Sequence, residues 1–430
     1  MSKKRRSVKK EEFVEPMITA GMKQHLKYLV GLSIISKIAI VILTVFVLGH
    51  VMDMFGINYY YESTMSIFKG SYPYISFYYV YPILSFIPVI IALIPSLLFN
   101  NILVFMVIFS ILMIICDCVT VMCVYLITRK IWNDPKRAFI SAFIYLTAIS
   151  TAYFVMVEHS PFAECFLMMS LTVLFYGKGF FGFSKINEYF LVIIGFFSKL
   201  FPIIALPFIV LYKSRSTSLR QEIISALKII IPVSCILVLP LFIMNPESIR
   251  TYIPARMDIG YFPNTIIWTL YVWLHDIFHF TITMDQVLGF VYSCMGIGLL
   301  VLLYAAFKYK KQDPIVLIKF ILCAIMIVVL SYKVRSPQYI IWFTPLLCIL
   351  ISDSIYKILL FYIAQILAYI EFPLTFWSLW TNEKYTNPIY STNWYLALML
   401  FTLEFSILLL LLWLAVEPIK LYKDVFIKSD

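Results

Sequence analysis

Long apolar runs separated by short polar clusters dominate the chain from Leu29 onward. A run of about twenty residues is the length of a helix that crosses roughly 30 Å of hydrocarbon at 1.5 Å per residue. The first run lies at 29–49, behind a basic arm that begins Met1-Ser-Lys-Lys-Arg-Arg6. It is too long for the apolar core of a signal peptide, and no small-residue cleavage site follows it, so it is expected to span. Further full spans are expected at about 101–128, 138–156, 161–178, 222–244, 286–306, 314–332, 336–352, 354–374 and 392–416.

Two stretches break this pattern. The run 82–98 carries Pro82, Pro88 and Pro95. Prolines at that density interrupt a helix, so a dipping segment packed against protein is expected there. The run 187–212 has basic residues on both sides: Lys178 and Lys185 before it, Lys213, Arg215 and Arg220 after it. A single crossing would put one of those clusters on the outer face, against the positive-inside bias. Two short half-helices, in and back, resolve the conflict, with Lys199 and Pro202 at their junction.

The expected fold is therefore all-α: a polytopic transmembrane helical bundle of about ten full spans plus two broken or re-entrant helix pairs. A cytoplasmic basic arm (1–28) precedes the transmembrane domain (29–419), and a cytoplasmic tail (420–430) follows it. The charge bias puts Lys308, Lys310, Lys311, Lys357, Lys420 and Lys423 at the inner side. It puts the loops 51–79, 245–285 and 375–391 outside, with the turns 157–160 and 333–335. Trp268, Trp273, Trp377, Trp380 and Trp394, in or beside those loops, read as interface anchors. The host membrane is expected to be a prokaryotic plasma membrane or the endoplasmic reticulum.

Composition agrees. Hydrophobic residues make up 62% of the 430 residues and charged residues 13%, where a soluble domain has about 45–50% and 25%. The net charge of +11 is scattered in short clusters between apolar runs. It is a topology signal and does not point to nucleic acid. All eight cysteines lie in apolar segments without a CxxC pair, so neither a disulfide framework nor a zinc site is expected.

Candidate chemistry lies where polar groups persist despite a cost of about 2.5–3.5 kcal/mol for an ionisable side chain at membrane depth. Asp53 and Glu62 are the only acids between Glu15 and Asp117, in a tyrosine-dense loop. They are either solvated loop acids or functional carboxylates, and clustered tyrosines suit stacking on sugar rings. The segment Val157-Glu-His-Ser-Pro-Phe-Ala-Glu164 offers His159 and Glu164 just below the outer surface. Glu164 is either a helix-start charge or a ligand to something polar. Lys199 is a lone cation in an apolar run, suited to an anion. Lys333 and Arg335 sit at an outer turn where the charge bias disfavours cations; Arg335 offers bidentate geometry to a phosphate. Carboxylates, cations and aromatics together suit a phosphorylated lipid whose sugar projects outward. No His, Asp and Glu set has metal-ligand spacing, so no metal or cofactor is expected, although a divalent ion is left open.

The same residues resemble the C-type superfamily of polytopic glycosyltransferases. The likeness is strongest to the subunit that adds the first mannose to the GPI anchor and to prokaryotic transferases that use polyprenyl-phosphate mannose. Gly70-Ser-Tyr-Pro-Tyr74 with Val80-Tyr-Pro-Ile-Leu84 is similar to the family's G-x-x-P-Y and Y-x-P-L. Cys116-Asp-Cys-Val-Thr120 is similar to C-D-L-L-T. Ser198-Lys-Leu-Phe-Pro202 with Pro207 is similar to M-K-I-Y-P and L-P. Ser336-Pro-Gln-Tyr-Ile-Ile-Trp342 with Pro345 is similar to S-P-Q-Y-x-x-W-x-x-P. Glu164 stands where the family has an aspartate, and the register of Asp53 to Tyr59 is shifted. The resemblance implies an inverting transfer of a hexose, best mannose, from a polyprenyl- or dolichyl-phosphate donor to a lipid or glycan acceptor on the outer or lumenal face. It implies Asp53 or Glu62 as general base, Lys199 and Arg335 as donor-phosphate clamps, and His159, Glu164, Gln338 and Tyr339 as sugar or acceptor ligands. Membrane lipids are expected partners, and a small membrane subunit is left open. A transporter or flippase of lipid-linked saccharide is the rival reading; it would share the phosphate site but need no positioned base.

Overall fold

The computed structural model describes residues 19–50, 52, 54–77, 79–177, 186–246, 264–375 and 394–427. Among them every regular element is helical, and the only bridge of β type is the isolated one between Pro73 and Phe77. Asp53, Lys178, Lys185, Trp377, Trp380, residues 247–263 of the 245–285 loop and nearly all of the 375–391 loop lie outside the described residues.

Helix α1, Ala20–Val41, runs on into a wider π turn, Ile42–Val47. Helix α2, Phe55–Phe68, occupies the tyrosine-rich segment expected to be a loop. Pro82 is extended (φ −63°, ψ 159°) ahead of a 3-10 turn, Ile83–Ser85, and Pro88 then falls in the first turn of α3, Phe86–Phe99, where a missing N–H costs little. Helix α4, Ile102–Trp132, is the longest; the Asn101 side chain accepts from Leu103 N at its start. Asp134 and Pro135 open α5, Pro135–Leu146, which bends by 60° into α6, Ile149–Val157. Helix α7 is Ser160–Tyr176, and α8 is Glu188–Ser198. A 3-10 turn, Phe201–Ala205, leads into α9, Leu206–Lys213.

The second half begins with α10, Leu219–Met244, capped by Ser218. Helix α11 is Ile266–Tyr271, and α12 is Met284–Lys308, opened by a Thr283–Gln286 capping box. Helix α13 is Pro314–Ser331. A 3-10 turn, Pro337–Trp342, precedes α14, Thr344–Ile351. Helix α15 is Ile355–Tyr369; the chain beyond it, to Thr375, is kinked at Phe372 (φ −144°, ψ 125°), and α16 is Trp394–Val416.

Among the described residues, seven helices are long and apolar enough to cross a membrane, or eight if the bent pair α5 and α6 counts as one span. Ten full spans are expected from the sequence, and the difference has two causes. The stretch 336–352 is broken, because Pro337 and Pro345 lack the N–H groups a continuous helix would use there. Helix α7 has 17 residues, about 25 Å at 1.5 Å per residue.

The two short helices expected across 187–212 are present as α8 and α9. Lys213, at the end of α9, forms an ion pair with Glu188, at the start of α8. The two ends of the hairpin therefore lie side by side, with Lys199 at its tip. Lys213 also meets Glu222 of α10 at 3.1 Å, and Glu222 accepts from the Tyr189 hydroxyl at 2.7 Å. The hairpin closes tightly at Gly195. A Cβ there would stand 3.1 Å from Pro202 Cγ and 3.3 Å from the Ala163 carbonyl oxygen.

Helix α4 is the spine, packed against α1, α3, α5, α6 and α7. Midway along it, buried Asp117 pairs with Lys37 of α1 at 2.6 Å. Asp117 also accepts from Ser33 at 2.8 Å and from the Tyr145 hydroxyl at 2.9 Å. A charge pair at this depth persists only when its remaining hydrogen-bonding positions are filled; here Ser33 and Tyr145 fill those of the carboxylate.

Candidate active site

Four breaks in regular helix converge on one buried polar cluster. The first is between α6 and α7. Pro161 has no N–H to continue the hydrogen-bond ladder, and Glu158 is extended (φ −130°, ψ 149°). The Val157–Ser160 corner therefore turns its side chains inward. The second is the tip of the α8–α9 hairpin, where Lys199 is also extended. The third is the 3-10 turn that carries Gln338, Tyr339 and Trp342. The fourth is the segment before α3 that carries Tyr81; Tyr60 joins from α2.

Glu158 is the hub. Its Oε1 accepts from the Tyr60 hydroxyl at 2.7 Å and from Gln338 Nε2 at 2.9 Å. Its Oε2 accepts from Lys199 Nζ and from the His159 backbone N–H, both at 3.0 Å. The Ser160 hydroxyl reaches the same oxygen at 3.4 Å. Five donors around one carboxylate fill the four or so lone-pair sites of an ionised group. Lys199 Nζ donates in addition to Ser160 Oγ at 2.6 Å. His159 Nδ1 lies 2.8 Å from the Tyr60 hydroxyl and 3.1 Å from Glu158.

The ammonium of Lys199 faces a wall of aromatic rings. Its Nζ is 5.5 Å from the Tyr81 centroid, 5.7 Å from Trp342 and 5.9 Å from Tyr339, within cation–π range. Tyr339 stacks on Trp342 at 4.1 Å, and Trp342 on Phe201 at 4.6 Å. Glu158, His159, Ser160 and Lys199 are buried, whereas Gln338 and Tyr339 are half-buried. Tyr81 is half-buried as well, so these three side chains form the partly exposed rim of the cluster.

Of the residues expected from the sequence to form a site, Lys199, His159, Gln338 and Tyr339 come together here. Glu62 does not; it is exposed on α2, two residues and about 200° around the helix from Tyr60. Asp53 lies outside the described residues. Glu164 is fully buried on α7, and neither of its carboxylate oxygens has a hydrogen-bond partner among the described residues.

Arg335 belongs to a different cluster. Its guanidinium forms an ion pair with Glu404 of α16 and lies 3.6 Å from Glu371. It donates to the Asn264 carbonyl oxygen at 3.2 Å and packs over Phe405 at 4.9 Å. The Asn264 amide donates to Glu371. All four polar residues are buried. Lys199 and Arg335 therefore bond to separate carboxylates and do not share one.

Glu158, Ser160, Tyr60 and Tyr81 join the site although the sequence does not mark them as site residues. One signal for Glu158 was available. A lysine in an apolar run needs a counter-charge if it is buried, and Glu158 stands next to His159 at a proline break. Among the described residues no group of three His, Cys, Asp or Glu side chains is placed to hold a metal ion. No protein-family model, curated protein or solved structure matches the chain.

Chemically, the cluster fixes a cation beside a half-buried mouth. The Lys199 amine is oriented by Glu158 and Ser160, and aromatic faces line the approach. This arrangement can bind an anion with an attached ring or chain and hold positive charge where negative charge develops.

Proposed function

We propose that the protein is an integral-membrane, inverting glycosyltransferase of the C-type architecture. It moves a hexose, best mannose, from a polyprenyl- or dolichyl-phosphate donor to a lipid or glycan acceptor on the outer or lumenal face. The observation that carries this reading is the position of Lys199. It stands at the tip of a hairpin whose two ends are tied together by Glu188 and Lys213, and aromatic rings surround its ammonium. The motif similarities that carry the resemblance, at 198–202 and 336–342, supply two of the walls.

In this reading a donor phosphate approaches Lys199 from the Gln338–Tyr339 side and the sugar lies against the tyrosines. The acceptor hydroxyl loses its proton to a carboxylate as it attacks the anomeric carbon. The lipid phosphate leaves as an anion, so a cation rather than a general acid assists its departure. Glu158 keeps Lys199 in place; the base is Asp53 or Glu62, neither of which the described residues bring to the Lys199 cluster.

The test is reconstitution with radiolabelled polyprenyl-phosphate sugars and candidate acceptors. Label transferred into an acceptor supports the reading. Label that crosses the bilayer still attached to its lipid would establish the rival carrier instead.

A further inference from the structure

Among the described residues, α10 is buried only near its beginning. Its buried residues are Glu222 and Ala226. Beyond them Ile231, Ile236 and Ile243 stand 54%, 72% and 71% exposed. An open cavity of about 590 Å³ lies between it, α9 and α12, a volume within the usual range for ligand pockets. Its walls are carbon: Leu211, Ile223, Leu227, Leu303, Tyr304 and Phe307 are among them.

One end of this groove is cationic. Lys308 Nζ lies over the Tyr304 ring at 5.6 Å, and Lys310 Nζ over the Phe307 ring at 4.9 Å. Both lysines are exposed. Arg215 donates to the Ala306 and Phe307 carbonyl oxygens at 2.7 and 3.1 Å, which caps the end of α12 and pins the α9–α10 turn against it. Lys308 and Lys310 form no ion pair with a carboxylate among the described residues. Two ammonium groups are thus held over two rings that line an apolar slot.

We propose that this groove binds one anionic phospholipid of the leaflet on the Lys308 side. An acyl chain lies between α10 and α12, and the phosphate rests against Lys308 and Lys310. The shape asks for a chain, and the cations ask for an anion at its end. Basic pockets between membrane helices at the inner surface recognise anionic head groups in this way. The groove is distinct from the cluster around Lys199. None of the residues that line it belongs to that cluster. The proposal does not rest on the transfer reading.

The test uses the full chain in detergent, titrated with phosphatidylglycerol or phosphatidylcholine and read by native mass spectrometry. One phosphatidylglycerol is expected to be retained with a preference on the order of tenfold over phosphatidylcholine. The double variant Lys308→Gln with Lys310→Gln, both exposed positions, is expected to lose that preference. Leu227→Trp, which fills the groove, is expected to reduce retention of both lipids, and its melting temperature shows whether it is folded. Equal binding of the two lipids by the wild type, or an unchanged preference in the double lysine variant, would overturn the proposal. Sugar transfer is not read in this experiment, so its outcome is separate from that of the proposed activity.

Discussion

Lys199 and Glu158 lie forty-one residues apart in the chain and meet at 3.0 Å in a buried site. Each sits at a break between helices, one at a hairpin tip and the other at a proline-induced corner. Two long-range constraints, the 188–213 hairpin and the α6–α7 hinge, therefore close on one ion pair.

Glu158→Gln tests that closure. The amide keeps the shape but leaves Lys199 without its counter-charge. Removing one partner of a buried pair typically costs about 3–5 kcal/mol. A large fall in melting temperature is expected, with partial recovery in the double variant Glu158→Gln with Lys199→Met. If the two single variants and the double variant melt additively, the pair is not coupled.

The Arg335 cluster leads to a different expectation. Arg335 is already engaged by Glu404 and Glu371. Arg335→Lys keeps the charge but loses the planar fork. The expected result is a loss of stability of at least about 1 kcal/mol, with donor KM little changed in the folded fraction. A donor-specific defect at full stability would instead place Arg335 at the donor phosphate.

Asp117 and Lys37 form the deepest pair along α4. Asp117→Asn is expected to destabilise the protein by several kcal/mol, of the order seen for half-broken buried pairs. Replacing both residues with apolar ones, Asp117→Leu with Lys37→Met, is expected to restore much of the loss. Thermal unfolding in detergent checks both. A double variant no more stable than Asp117→Asn would give the pair a role beyond charge compensation.

For the general base, Asp53→Asn and Glu62→Gln are each to be assayed for transfer. Loss of the true base is expected to lower the rate by about 10²–10⁴ with little change in folding. Glu62 is exposed, so its substitution leaves the packing untouched and isolates chemistry. Near-full turnover in both single variants and in the double variant would remove the base from this loop.

Much of this was legible in the sequence. The apolar runs foretell an all-helical membrane chain, and basic residues on both flanks of 187–212 foretell the hairpin. Proline breaks at Pro161, Pro202 and Pro337 mark three of the four elements that build the site. The partners of each charge were not legible, because they depend on tertiary pairing. Glu158 reads as one acid in a short polar turn until the hairpin brings Lys199 to it. Arg335 reads as an unexplained outer cation until Glu404, on a helix 69 residues later, packs beside it. The span count also shifted, because prolines divide 336–352 in a way that hydropathy alone does not register.

The proposed transfer depends on Lys199 holding the donor phosphate, and Lys199→Met isolates that role. The substitution keeps the aliphatic stem and removes the charge. Steady-state kinetics with the lipid-phosphate donor and the acceptor varied separately would measure the consequence. A charge-assisted hydrogen bond is worth about 1.5–3 kcal/mol, so kcat/KM for the donor is expected to fall roughly ten- to a hundredfold, with acceptor KM changed much less. Donor kinetics equal to the wild type's would contradict the claim and leave Lys199 as an internal counter-ion to Glu158.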